Sequence, residues 1–156
     1  PLVLSIAVAA GRSGSLDVFD LIGVVIFFLG FMGTALSDRQ LATFKANPQN
    51  KGLICNQGLW KISRHPNYFF EWITWCAWPI LAFSPSGDYF TGALAIIAPV
   101  LMYYLLVHVS GLPLLEAHME RSRPTAFARY KKETPVFFPN FIKLISQYPK
   151  GVSSER

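Results

Sequence analysis

This chain is poor in charge. Asp, Glu, Lys and Arg make up 15% of its residues, whereas soluble domains average about 25%. Hydrophobic residues fill 52% of it, a balance that argues against a soluble core. Cysteine is scarce as well. Cys55 and Cys76 are far apart and lack metal-ligand spacing, which excludes a disulfide framework or a zinc ribbon. Acids are few, 9 against 14 basic residues, leaving a net charge of +5. An excess of that kind can signal nucleic-acid binding. Here the basic residues fall in the loops between apolar runs, the pattern of cytoplasmic loops in membrane proteins. The expected partner is therefore a lipid bilayer, and nucleic acid is not one. No internal repeat or low-complexity tract interrupts the chain, and its 156 residues read as a single membrane domain.

What is present are apolar runs. Residues 1–10 are apolar but too short to span a bilayer, which takes about 20 residues. No basic stretch precedes them as in a signal peptide, so they read as the tail of a helix that begins outside this sequence. The chain is expected to be the C-terminal part of a longer one. Spans are expected near 18–36, 68–83 and 89–110. In the first, Asp20 is the only charge, and Ser15 and Asp17 are helix-start residues just ahead. Gly23, Gly30 and Gly33 would weaken a soluble helix, but they permit close packing in a membrane. Residues 38–46 could extend this helix beyond the membrane, and 47–52 read as a turn. The second span is short, with Glu71 near its start and Pro79 expected to kink it. A turn at 84–88 links it to the third, forming a hairpin.

Residues 111–156 hold eight of the 14 basic residues, interleaved with Phe127, Tyr130, Val136, Phe137 and Phe138. An amphipathic helix is expected over 114–132. An irregular segment should follow, on the membrane surface or folded back on the bundle. The expected fold class is all-α, a polytopic transmembrane helix bundle. Charge places the 37–66 loop and the 111–156 segment in the cytoplasm, and the 84–88 turn and Gly11–Leu16 linker on the other side.

Three clusters could carry chemistry. Asp38 and Lys45, seven residues apart, share a helix face. They suit a ribose hydroxyl and a phosphate, or are simply charges on an exposed helix end. In Arg64-His65-Pro66-Asn67-Tyr68, proline biases His65 away from helix, and Asn67 resembles an N-cap or N1 residue. A helix N-terminus beside Arg64 and His65 is a natural anion pocket. Glu71, one turn on, needs a cation or a ligand hydroxyl as partner. The same cluster could be a capped helix start with an ion pair. Glu116 and His118 do not face each other on a helix, so a di-iron or zinc enzyme is discounted. Arg121, Arg123 and Tyr130 could close over a ligand from the C-terminal side, or face solvent and headgroups.

Three segments then match in order. They are Ser37-Asp38-x-Gln40-Leu41-x-x-Phe44-Lys45, Gly58-Leu59-Trp60-x-x-Ser63-Arg64-His65-Pro66-Asn67-Tyr68-Phe69-x-Glu71-Trp72, and Ser110-Gly111-x-Pro113-Leu114-Leu115-Glu116. Together they resemble the steroid 5-alpha-reductase-like integral membrane family, in its bacterial-type branch, from Asp17 to Pro139. The resemblance implies a multi-pass protein of a bacterial inner membrane or endoplasmic reticulum, with an NADPH pocket facing the cytoplasm in its C-terminal half. It implies an oxidoreductase passing hydride to the beta carbon of an enone, in a steroid or other lipid-like hydrophobic small molecule. By matched position, it implies cofactor contacts at Asp38, Lys45, Arg64, Asn67, Tyr68 and Glu71. His65 would shape or line the pocket, and Glu116, Arg123 and Tyr130 would be further contacts. No metal ligand is implied.

Two departures stand out. Phe70 replaces the glycine usual in the Asn-Tyr-Phe-Gly-Glu run, which could tighten helix packing or narrow the pocket. The Glu and Tyr that polarise the substrate carbonyl in steroid 5-alpha-reductases belong to an N-terminal half expected to lie outside this sequence, so no catalytic residue is assigned. Arg-His-Pro-x-Tyr also occurs in sterol reductases and isoprenylcysteine carboxyl methyltransferases. An S-adenosylmethionine-dependent membrane methyltransferase therefore remains an alternative, as does a non-catalytic membrane subunit. The sequence leaves the oligomeric state open.

Overall fold

The computed structural model describes residues 2–12, 14–87 and 89–145. Asp88 of the expected turn, and Lys150 and Arg156 of the expected basic segment, lie outside the described residues. Among the described residues every regular element is helical. The α-helices are α1 (Leu2–Ala10), α2 (Val18–Ala46), α3 (Pro66–Leu81), α4 (Ile97–Tyr104), α5 (Leu112–Ser122), α6 (Pro124–Glu133) and α7 (Ile142–Ile145).

Helix α2 starts where its capping residues require. The Asp17 carboxylate accepts from the Phe19 and Asp20 amides at 2.7 and 3.2 Å, and Asp20 accepts in return from the Asp17 amide at 2.8 Å. This reciprocal box satisfies donors that the first turn would otherwise leave bare. Arg12 neutralises both acids, bonding Asp17 at 3.0 Å and pairing with Asp20, and it also donates to the Phe83 carbonyl at 2.8 Å. One guanidinium thus ties the start of α2 to the chain just beyond α3. It also holds the Asp17 carboxyl below its usual range, against an opposing push from burial.

The expected continuation of the helix is observed: α2 runs unbroken through Asp38 to Ala46 and stops before Pro48. It packs antiparallel to α3 along its small residues. Gly23 lies against Leu81, Gly30 against Thr74 and Gly33 against the Phe70 ring. A β-carbon on Gly30 would stand 2.6 Å from the Thr74 amide nitrogen, so only glycine allows this approach. Thr34 and Ser37 donate back to the Gly30 and Gly33 carbonyls at 3.0 and 2.7 Å, which satisfies these two hydroxyls.

Two helical stretches, Val18–Ala46 and Phe90–Ser122, are long and apolar enough to cross a membrane. Their large apolar side chains face outward: Leu29 is 60% exposed and Met32 65%. A soluble helix would bury such residues, so this exposure supports membrane localisation. Helix α3 has 16 residues, about 24 Å at 1.5 Å per residue, short of the roughly 30 Å hydrocarbon core.

One expectation is refined and one corrected. The span expected at 89–110 falls within the helical stretch Phe90–Ser122, but it is not uniformly α. It opens as a 3₁₀ stretch over Phe90–Ile96, becomes α4, and widens to a π-turn over Leu105–Val109. Pro99, which cannot donate, falls in the first turn of α4, where a donor is not needed. The helix expected over 114–132 is also two helices. Pro124 forces Arg123 out of helical geometry, to φ −146° and ψ 58°, and α6 begins anew at that proline.

Candidate functional site

The site is built where the loop after α2, the start of α3 and the α5–α6 pair converge. The Gln40 side chain accepts from the Leu59 amide at 2.9 Å, and the Trp60 indole donates to the Ser37 carbonyl at 2.9 Å. These bonds fold the 58–61 turn onto α2. Gly58 makes the fold possible: its φ of 57° disfavours other residues, and a β-carbon there would press on Gln40. This is the physical content of the Ser37-x-x-Gln40 and Gly58-Leu59-Trp60 segments.

The C-terminal segment then straps the loop down. The Arg64 amide donates to the Pro135 carbonyl at 2.9 Å, and the Asn140 amide donates to the Ile62 carbonyl at 2.8 Å. The Ser63 hydroxyl donates to the Phe137 carbonyl at 2.9 Å, and the Tyr130 hydroxyl donates to the Trp60 carbonyl. Phe137, 2% exposed, anchors the strap against Phe69, Trp72 and Tyr103.

Arg64 sits at the centre. Its Nε and Nη2 donate to the two Glu116 oxygens at 2.8 and 3.2 Å, and its Nη1 donates to the Thr134 and Lys131 carbonyls at 3.0 and 3.3 Å. His65 Nε2 lies 3.3 Å from Glu116 Oε1, and its ring stacks on Tyr68 at 5.8 Å. Glu116 lies beyond the apolar part of its helical stretch, which ends at Val109. Burial pushes its pKa up, but the bonds from His65 and Arg64 outweigh this and hold it below the usual carboxylate range. Burial also pushes the Tyr130 hydroxyl and the Cys55 thiol up.

In front of this hub opens a groove of about 510 Å³, within the range of small-molecule sites. Lys45, Arg64, His65, Asn67, Arg123 and Tyr130 all line it. Among the described residues Lys45, Lys51 and Arg123 make no ion pair, so the groove carries uncompensated positive charge. Four residues expected at the site do not line the groove. Asp38 sits at its edge, accepting from Asn67 Nδ2 at 3.1 Å. Tyr68 backs His65, and Glu116 lies behind Arg64. Glu71 accepts from the Trp75 indole at 2.9 Å, farther along α3. The expectation for Asn67 shifts by one position: His65 is the N-cap and Pro66 is N1.

Sequence reasoning passed over Lys51, Cys55, His118, Met119 and Phe127, which also line the groove. A partial signal existed, because Leu115 and Met119 lie one turn apart on α5, and Arg123 and Phe127 flank the start of α6.

The family model described as protein of unknown function (DUF1295) matches residues 1–134. The chain belongs to that family. This DUF1295 member is also similar to the steroid 5-alpha-reductase DET2 of Arabidopsis thaliana. The two are 33% identical over 66 residues, which cover 42% of this chain and 25% of that protein. The chain therefore spans about a quarter of the length of this curated relative. No solved structure matches. These matches bear out the resemblance to steroid 5-alpha-reductase-like proteins read from the three segments.

Proposed function

We propose that this chain forms the cofactor-binding part of an NADPH-dependent membrane reductase. It acts on a carbon–carbon double bond conjugated to a carbonyl in a steroid or other lipid-like substrate. The observation that carries this is the groove itself. It joins all three motif segments and presents Lys45, Lys51 and Arg123, which have no ion-pair partners among the described residues. Those cations suit the phosphates of NADPH. They suit S-adenosylmethionine less well, since it has no phosphate and its single carboxylate is accompanied by a sulfonium and an ammonium of the same sign as the lysines. Similarity to a protein named as a steroid 5-alpha-reductase supports the reaction class.

In this reading Asn67 holds Asp38 at the groove edge, with one carboxylate oxygen left to accept from a ribose hydroxyl. Lys45, Lys51 and Arg123 neutralise phosphate. Arg64 is a scaffold for His65 and the α3 N-terminus, since its guanidinium is already occupied by Glu116 and two carbonyls. NADPH, when bound, supplies hydride for the beta carbon of the enone. The group that polarises the carbonyl is not assigned to this chain. In this reading the bundle is multi-pass and the groove faces the cytoplasm, an orientation that the basic residues of the flanking loops support.

Titrating the purified full-length protein with NADPH and with S-adenosylmethionine tests this. NADPH binding alone is expected. Binding of S-adenosylmethionine alone sinks the reductase, and binding of neither, in a protein that copurifies with a larger assembly, points to a non-catalytic subunit.

A further inference from the structure

A second pair of cavities lies away from the cofactor groove. One is an apolar groove of about 720 Å³ lined by Trp72, Cys76, Pro79, Pro99, Val100 and Tyr103. The other is an open groove of about 710 Å³ between the end of α6 and the strap, with Lys131, Lys132 and Lys143 on its rim and Phe141 and Ile142 beside them. Phe138 lines both. Its ring packs 5.9 Å from Trp72 and 6.3 Å from Tyr103, so the shared wall sits at the level of a Trp/Tyr pair near the start of α3. Such aromatics mark the headgroup level of a bilayer.

We propose that these two grooves together bind one anionic phospholipid. Its acyl chain lies along the apolar groove, and its phosphate headgroup meets the lysine rim beyond Phe138. Three observations point the same way. The inner groove offers almost nothing polar to a ligand, as an acyl chain requires. The outer rim holds Lys131, Lys132 and Lys143 against one acid, Glu133; Glu133 receives Arg129 at 2.9 Å, and Lys143 donates to the Glu133 carbonyl. Lys132 has no ion-pair partner among the described residues, whereas Lys131 bonds Glu120 at 2.7 Å. Finally, Phe141 at 47% exposure and Ile142 at 78% are apolar residues beside lysines, a combination suited to the bilayer boundary rather than open water. The site uses none of the residues assigned to the cofactor.

Native mass spectrometry of the full-length protein, equilibrated with equal phosphatidylglycerol and phosphatidylcholine, reads the occupancy ratio directly. Phosphatidylglycerol is expected to predominate. Lys132→Gln should lower that preference about five-fold, the factor for one surface lysine against an anionic surface, with NADPH affinity unchanged. Phe138→Ala should lower occupancy by both lipids. Equal occupancy in the parent protein, or an unchanged preference in Lys132→Gln, overturns the proposal. Displacement of the lipid by free glycerol phosphate at comparable concentration overturns the acyl-chain half of it. Lys132 is exposed and makes no ion pair among the described residues, so its variant folds, and the test does not depend on the more deeply packed Phe138.

Discussion

Arg64 and Glu116, 52 residues apart, meet through two parallel hydrogen bonds of 2.8 and 3.2 Å. The pair locks the N-terminus of α3 to α5 and fixes His65 between them. Arg64 is 9% exposed and Glu116 18%, so removing one partner leaves a mostly buried charge behind. Glu116→Gln keeps the shape and loses the charge. It should cost about 2 kcal/mol, the scale of hydrogen bonds to a charged group, read as a lower thermal midpoint in detergent.

The same pair predicts a response to acid. The Glu116 carboxyl is held below its ordinary value in the folded protein. Its contribution is therefore complete above the unfolded pKa, about 4.3, and is lost as pH falls through the depressed folded value. Thermal midpoints of the parent and of Glu116→Gln should differ by a constant amount above about pH 5.5, more than one unit above that pKa. The gap should narrow in acid. A gap that stays constant down to pH 3 would remove Glu116 from this role.

Lys45 lines the groove and has no ion-pair partner among the described residues. Lys45→Ala should weaken NADPH binding about ten-fold, as expected for one charge-assisted contact to phosphate. The loss should exceed that for NADH if Lys45 meets the 2′-phosphate. Equal losses by fluorescence titration would place it on the shared pyrophosphate instead.

Asn67 donates to Asp38 at the groove edge and is only half-buried. Asn67→Ala should weaken NADPH severalfold while leaving the thermal midpoint within about 0.5 kcal/mol of the parent, as for a substitution outside the core. A folded variant with parental affinity would exclude both residues from the ribose site.

The Phe70 ring occupies the space that a β-carbon on Gly33 would need. Gly33→Ala should therefore cost about 2 kcal/mol through overpacking. In a Phe70→Ala background the same change should cost much less. A double-mutant cycle measures the difference, and purely additive effects would rule out the contact.

How legible the molecule was depends on the range of each interaction. The start of α2 was readable because Asp17 caps it locally, and the start of α3 because Pro66 marks it. The glycine face of α2 was readable, though not its match to Phe70. The break at Arg123 was missed because the amphipathic pattern of 114–132 outweighed the warning of Pro124. The groove residues were largely legible through their motifs. The bonding of Arg64 was not, because its partners Glu116, Lys131 and Thr134 lie 52 to 70 residues away. Nothing local says that a guanidinium beside a helix N-terminus is already satisfied.

The strap carries a consequence for biogenesis. Ile62, Ser63 and Arg64 are closed by Pro135, Phe137 and Asn140, residues synthesised some seventy positions later. The apolar helices can enter the membrane and pair through their glycines before any of those partners has left the ribosome. The groove is then the last feature to assemble. A chain ending near residue 130 would insert and persist as a membrane protein, yet it would present the Arg64 loop unfastened to any quality-control protease on that side.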